Sequence, residues 1–196
     1  MSGLTLALST ASPALSLALF DGDTLVAHDH RIIGRGHAEA TVPGIAALMA
    51  GRRADAIIVD TGPGSFTGIR IGIAAARALG LAWGVPVHGC EAGALVAARA
   101  FALRPDLAAV TVLLDAGRGQ VLRQRIAADF SAGAIETIAP EAIVAGADDT
   151  AGPLAPADAI HDGQPDAAFA MHLPVAARTL LPQALYVRPP DAVLPL

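Results

Sequence analysis

Thr61-Gly-Pro-Gly-Ser-Phe-Thr-Gly68 follows the apolar run Ala56-Ile-Ile-Val-Asp60 and precedes Ile69 to Trp83, where apolar residues recur at helical spacing. A buried strand that feeds a glycine-rich turn and then a helix is a building unit of α/β sheets. The three glycines supply positive φ or close backbone approach, and the following helix offers unpaired N–H groups at the positive end of its dipole. Such a loop can cradle an anion, phosphate included. The plainer reading is a tight strand-to-helix connection with Ser65 or Thr67 as the helix cap. The spacing fits neither the Walker pattern nor Gly-x-Gly-x-x-Gly.

Toward the amino end, Leu4 to Ser9, Ala14 to Phe20 and Leu25 to Ile33 read as strands. Short turns at Thr10 to Pro13 and at Asp21-Gly22-Asp23 make them an antiparallel meander. After the break Gly34-Arg-Gly36, His37 to Met49 reads as a helix that tolerates Pro43 in its first turns or as a kink. Toward the carboxyl end come a strand, Val85 to His88, and a helix, Glu91 to Phe101. Arg104-Pro-Asp106 marks a boundary between lobes. Beyond it Ala108 to Leu114 and Gln120 to Ala127 pair around the turn Asp115-Ala-Gly-Arg-Gly119. Residues 131–166, rich in Ala, Gly, Pro and Asp, resist assignment. A helix near 166–180 and an extended piece, Ala184 to Arg188, close the chain. The order is that of a mixed-sheet α/β protein.

Composition removes several function classes. The chain has 196 residues, 54% hydrophobic, with formal net charge −5. That is ample for a core and far from the composition of disordered chains. An acidic balance argues against a free-standing nucleic-acid binder. All 13 basic residues are arginine, so neither a lysine Schiff base nor a Walker lysine exists. The single cysteine, Cys90, fits a reducing, cytoplasmic setting. Residues 3–20 are uncharged, but they lack a basic flank and are interrupted by Ser9-Thr-Ala-Ser-Pro13, so neither a signal peptide nor a membrane span is expected.

Residues 61–72, Thr-Gly-Pro-Gly-Ser-Phe-Thr-Gly-Ile-Arg-Ile-Gly, with Ala74-Ala-Ala-Arg-Ala-Leu-Gly80, resemble the signature of the TsaB family, also called YeaZ. Further family-like pieces follow in order: Gly36-His-Ala-Glu39 with Val42-Pro43, Val85-Pro-Val-His-Gly89, Leu114-Asp-Ala116 with Arg118, and Leu185-Tyr-Val-Arg188. The resemblance covers the first hundred residues well and the remainder thinly. It implies an ASKHA fold, the actin and sugar-kinase architecture, with mixed sheets, flanking helices and two lobes. The lobes are expected at 1–103, carrying the partner-binding helices, and at 104–196, smaller and truncated. It also implies a non-catalytic scaffold or dimerisation subunit of the machinery that makes N6-threonylcarbamoyladenosine at position 37 of tRNA. The expected partners are a TsaD-like transferase and a TsaE-like ATPase, with tRNA contacted indirectly and no membrane. ATP and metal are then expected on those partners and no cofactor on this chain. Homodimerisation through the same helices stays open for a chain without its partner.

The resemblance places the pairing surface on helices 37–49 and 68–83, with His37, Ile45, Leu48, Ile69, Ile73 and Ala76 as its candidate residues. Burial against their own sheet is the bland alternative for those side chains. TsaD-like enzymes hold metal partly through His-x-x-x-His just after the strand matching 85–88. Here the segment reads Gly89-Cys-Glu-Ala-Gly-Ala-Leu95, and His88 has no partner four residues on. The first strand ends Ser9-Thr10 where the family commonly has Asp-Thr, which removes a carboxylate that a magnesium–nucleotide site would use. Thr10, Asp60, Gly64 and Ser65 are the candidates for any anion or nucleotide contact. The alternative function is an ATP-dependent small-molecule kinase or acyltransferase on the same fold.

Three features remain. His28 and His30 alternate on a strand and share a face, with Asp29 pointing away, but no third ligand lies nearby in sequence, so they read as surface histidines and no metal site is expected. Asp115 and Arg118 read as parts of a turn that Gly117 and Gly119 already demand. Cys90 reads as a buried, inert thiol, and no Gly-x-Ser-x-Gly elbow is present.

Overall fold

The computed structural model describes residues 3–144 and 149–187. Its first sheet contains β1 (Leu4–Ser9), β2 (Ala14–Asp21), β3 (Thr24–Ile32), β4 (Ala56–Asp60) and β5 (Val87–Cys90), in the order β3-β2-β1-β4-β5. The meander β1-β2-β3 is antiparallel, and β4 runs parallel to β1 and β5, giving the mixed sheet that the resemblance implies. Side chains alternate across a strand, so each strand feeds two cores. Leu6, Leu8, Leu15, Leu17 and Leu19 face one side, while Ala7, Ala18 and Phe20 face the other.

Helices α1 (His37–Met49) and α2 (Phe66–Trp83) cover the leucine side. The α1 residues His37, Thr41, Ile45 and Met49, each four apart, are its buried row. On α2 the matching row is Gly68, Gly72, Ala76 and Gly80, all small. A Cβ on Gly68 would overlap the Thr10 carbonyl oxygen, and one on Gly80 would overlap the Val87 side chain. The helix therefore sits close to the strands beneath it. It begins three residues before Ile69 because the Ser65 hydroxyl accepts from the Gly68 N–H at 3.2 Å and caps it there.

Helix α3 (Ala92–Leu103) lies on the opposite face and buries Ala92 to Ala98 and Ala100. Leu95 and Ala98 pack on Ala7 and Ile58 of the first sheet. Val96, Ala97 and Ala100 pack on Val110, Val112, Leu122 and Ile126 of a second sheet. That sheet contains β6 (Ala109–Gly117), β7 (Gln120–Ala127), β8 (Glu136–Ile138) and β9 (Thr150–Ala151), in the order β8-β7-β6-β9. β8 and β9 have three and two residues, too few for side-chain alternation to show in the unassigned stretch 131–166.

Residues 166–187 return to the first sheet. The single helix expected near 166–180 is instead a 3₁₀ helix, Ala167–His172, and a short α4, Val175–Arg178, parted by Pro174. The extended piece expected from Ala184 forms no strand. It is tied to the glycine loop by the Leu185 N–H to Thr61 carbonyl bond at 2.8 Å, and Arg188 lies outside the described residues. Among the described residues no helix is long and apolar enough to cross a membrane.

Candidate functional site

An open cleft of about 930 Å³ runs between the glycine loop and the β6–β7 hairpin. The β1–β2 turn at Ala11–Pro13, loop residues Gly64, Ser65 and Thr67, Arg70 of α2, the hairpin tip Asp115–Arg118 and Tyr186 line it. The loop is stitched into the fold from several directions. Ser65 N–H donates to the Ala11 carbonyl at 2.7 Å, and Ala92 N–H donates to the Gly62 carbonyl at 2.8 Å. Thr61 gives both its N–H and its hydroxyl to the Cys90 carbonyl, each at 2.9 Å. Across the loop, Arg70 Nε donates to the Tyr186 hydroxyl at 2.8 Å, and its guanidinium carbon lies 3.7 Å from the Phe66 ring centroid.

Of the four anion-contact candidates, Gly64 and Ser65 line the cleft and Thr10 and Asp60 do not. Thr10 is fully buried, with its hydroxyl donating to the Gly68 carbonyl at 2.7 Å. The Ser65 hydroxyl is engaged as the α2 cap. Asp115 is the acidic residue among the cleft's lining, and its carboxylate accepts from the Gly117 N–H at 2.7 Å, which makes it the turn residue that the hairpin glycines call for. Among the described residues the cleft thus presents Arg70, Arg118, hydroxyl groups and the Asp115 carboxylate of the hairpin turn.

Asp60 is the fully buried acid under the loop. Its carboxylate accepts from the Ser9 hydroxyl at 2.6 Å and from the Gly62 N–H at 2.8 Å. Burial raises its pKa from the ordinary 3.8 to about 6, against the opposing pull of those two hydrogen bonds. The folded chain therefore keeps this proton at a pH where the unfolded chain has released it. The stability due to neutral Asp60 is present in full below about pH 4 and is lost as the pH rises through about 6. Asp60→Asn keeps an acceptor for Gly62 and offers a donor to Ser9. It is expected to flatten the stability profile between pH 4 and 6 and to raise stability at pH 7.5 by about 2 kcal/mol. Urea titrations at several pH values check this. A variant less stable than the native chain at pH 7.5 would show that the charged carboxylate is what the loop requires.

The residues expected to face a partner are placed differently from one another. Ile69 and Ala76 are fully buried, and Ile45, Ile73 and His37 nearly so, all against the chain's own sheet or its turns. Leu48 is half-buried. Ile45, Ile69, Ile73 and Ala76 are core residues, because small and branched side chains at these positions fill the gap between helix and sheet, with Leu48 packed at the margin; His37 instead lines the cleft. The outward rows of the same helices are Ala38, Val42 and Ala46 on α1 and Ala74, Ala78 and Leu81 on α2. Cys90 is buried, and burial, with the Asp60 and Glu91 carboxylates nearby, holds its thiol well above the ordinary range. His28 and His30 do share a face of β3, and the fold adds what sequence proximity could not. Asp166, at the cap of the 3₁₀ helix, reaches His28 Nε2 at 2.9 Å. Burial opposes ionisation of Asp166, but the Ala168 N–H and the two imidazoles outweigh it and lower its pKa. Burial likewise lowers the pKa of His30, against the pull of Asp166.

The sequence model of the family described as "TsaD: tRNA N6-adenosine threonylcarbamoyltransferase" matches residues 31–176. An uncharacterized protein of Mycobacterium tuberculosis is 40% identical over 91 residues, 43% of this chain and 43% of that protein. The Haemophilus influenzae protein named for tRNA threonylcarbamoyladenosine biosynthesis, TsaB, is 32% identical over 142 residues, 66% of this chain and 59% of its own length. The chain thus spans about half the length of these curated relatives. The solved structure of YeaZ from Pseudomonas aeruginosa superposes with a TM-score of 0.72 at 26% identity, covering 87% of this chain and 90% of that one. The glycine loop, the strand order and these matches agree, and the chain belongs to the TsaD-type family and, within it, to the TsaB (YeaZ) group.

Proposed function

We propose that this chain is a non-catalytic scaffold subunit in the formation of N6-threonylcarbamoyladenosine at position 37 of tRNA, docking a TsaD-like transferase. The observation that carries the reading is the outward face of α1 and α2. Once their buried rows are set aside, Val42 is still 56% exposed and Leu81 87% exposed, among exposed alanines. Apolar surface of this kind favours a protein partner. The names of the relatives supply the reaction that the partner performs. The missing His-x-x-x-His pair and Ser9 in place of an acid support catalysis residing on the partner, together with ATP and metal, a TsaE-like ATPase completing the assembly. With net charge −5, this subunit would leave most tRNA contact to the others.

The test is co-purification with the TsaD-like protein of the same organism, sized by light scattering, with ATP turnover assayed on each fraction. The expected result is a defined heterodimer, with turnover only where the partner is present. Leu81→Arg is expected to weaken that complex at least roughly tenfold while leaving the free chain's unfolding midpoint unchanged. A complex indifferent to Leu81→Arg and to Val42→Arg would remove this face from the interface. The cleft's volume favours a second reading, a nucleotide-dependent kinase or acyltransferase. ATP turnover by the isolated chain would establish that reading in place of the scaffold.

A further inference from the structure

On β3, His28 and His30 sit opposite Ala18 and Ser16 of β2, on the face where the returning segment packs. Asp166 arrives there from 136 residues beyond His30. The metal-binding atoms of the three residues all lie within 4.8 Å of one another, with His28 Nε2 at 2.9 Å and His30 Nδ1 at 3.7 Å from Asp166 Oδ1. Ligands of a tetrahedral zinc ion are about 3.4 Å apart, so small ring rotations would bring the set to one centre. Two further observations point to a ligand. Among the described residues His30 Nδ1 is buried without a hydrogen-bond partner, which is costly for an imidazole nitrogen that nothing meets. The carboxylate is also held in place: Asp166 Oδ1 accepts from the Ser16 hydroxyl at 3.0 Å and from the Ala168 N–H at 2.9 Å, and Ser16 Oγ accepts from the Ala167 N–H at 2.9 Å. Orienting bonds of this kind are what metal-binding carboxylates carry behind them.

We infer that His28, His30 and Asp166 form a binding site for a divalent transition metal of the zinc class, which fastens the edge strand β3 to the segment beginning at Asp166. Two imidazoles and one carboxylate suit zinc, cobalt or nickel and not magnesium or calcium, which take oxygen ligands. The exposed His28 ring leaves a route for the ion and an open fourth position for water. Asp29 adds negative charge near His30, while Arg99 adds positive charge and works against a second cation. None of the three residues lines the cleft, and the site is independent of the scaffold reading.

The test uses the untagged full chain, stripped with a chelator and titrated with zinc by calorimetry and with cobalt by visible absorption. About one ion per chain is expected, with the intense absorption of tetrahedral cobalt and a higher thermal midpoint when zinc is present. His28→Gln and His30→Gln, both at the sheet edge, are each expected to lower affinity at least roughly tenfold and to abolish the zinc-dependent rise in midpoint. Zinc binding unchanged in both variants would assign the ion to other histidines and overturn the site. Weak octahedral cobalt absorption in the native chain, or no binding, would overturn it without reference to any variant.

Discussion

Replacing Gly68 with alanine is expected to destabilise the chain by about 3 kcal/mol or more. Helix propensity alone points the other way, since alanine is favoured over glycine inside a helix by up to about 1 kcal/mol. The added methyl has no rotamer by which to escape. It would overlap the Thr10 carbonyl oxygen, a backbone atom of the turn between β1 and β2, whose residue also receives α2 through the Thr10 hydroxyl to Gly68 carbonyl bond. Relief requires α2 to move off the sheet, which breaks that bond and opens the core under Ile69 and Ile73. Gly133→Ala is the control: its Cβ would meet its nearest neighbour, the Arg125 carbonyl oxygen, at 3.4 Å. Urea unfolding with an unchanged m-value reads the difference. If Gly68→Ala matched the native chain in stability, the close approach of helix to turn would not be real.

Ala76→Arg is expected to abolish folding or to cost about 4 kcal/mol or more. Ala76 is fully buried between α2 and the sheet, in a row whose other members are glycines. An arginine there must overfill a packed core and bring a guanidinium out of water without a partner. Leu81→Arg, five residues on and on the outward side, is the matched comparison and should leave the circular dichroism and the unfolding midpoint in place. A folded Ala76→Arg chain that had lost only its partner would mean that α2 is turned the other way.

Much of the fold was legible because its signals are local and long. The three-strand meander, the helix 37–49 and the strand 56–60 fall where side-chain period and turn residues put them. The carboxyl half was less legible, since Pro174 divides what composition reads as one helix and two strands are three residues or shorter. The site was legible only in part. Gly64 and Ser65 do face the cleft, but no sequence rule says that Thr10 and Asp60 turn inward, because that depends on the Gly68 carbonyl meeting Thr10 and on the Ser9 hydroxyl and the Gly62 N–H meeting Asp60. Ile45, Ile69 and Ala76 share their helices with the exposed Val42 and Leu81, and a pattern of apolar residues does not say which row meets its own sheet. The grouping of His28, His30 and Asp166 joins residues far apart in the chain, beyond any spacing motif.

Helix α3 has one further consequence. It is the common wall of two cores, with Leu95 and Ala98 set into one and Val96 and Ala97 into the other. Moving one sheet relative to the other would have to shift the helix against one of its two seats, at a cost in packing contacts. Strain applied to either core is therefore handed to the other through a single helix, which acts as a shared hinge pin for both.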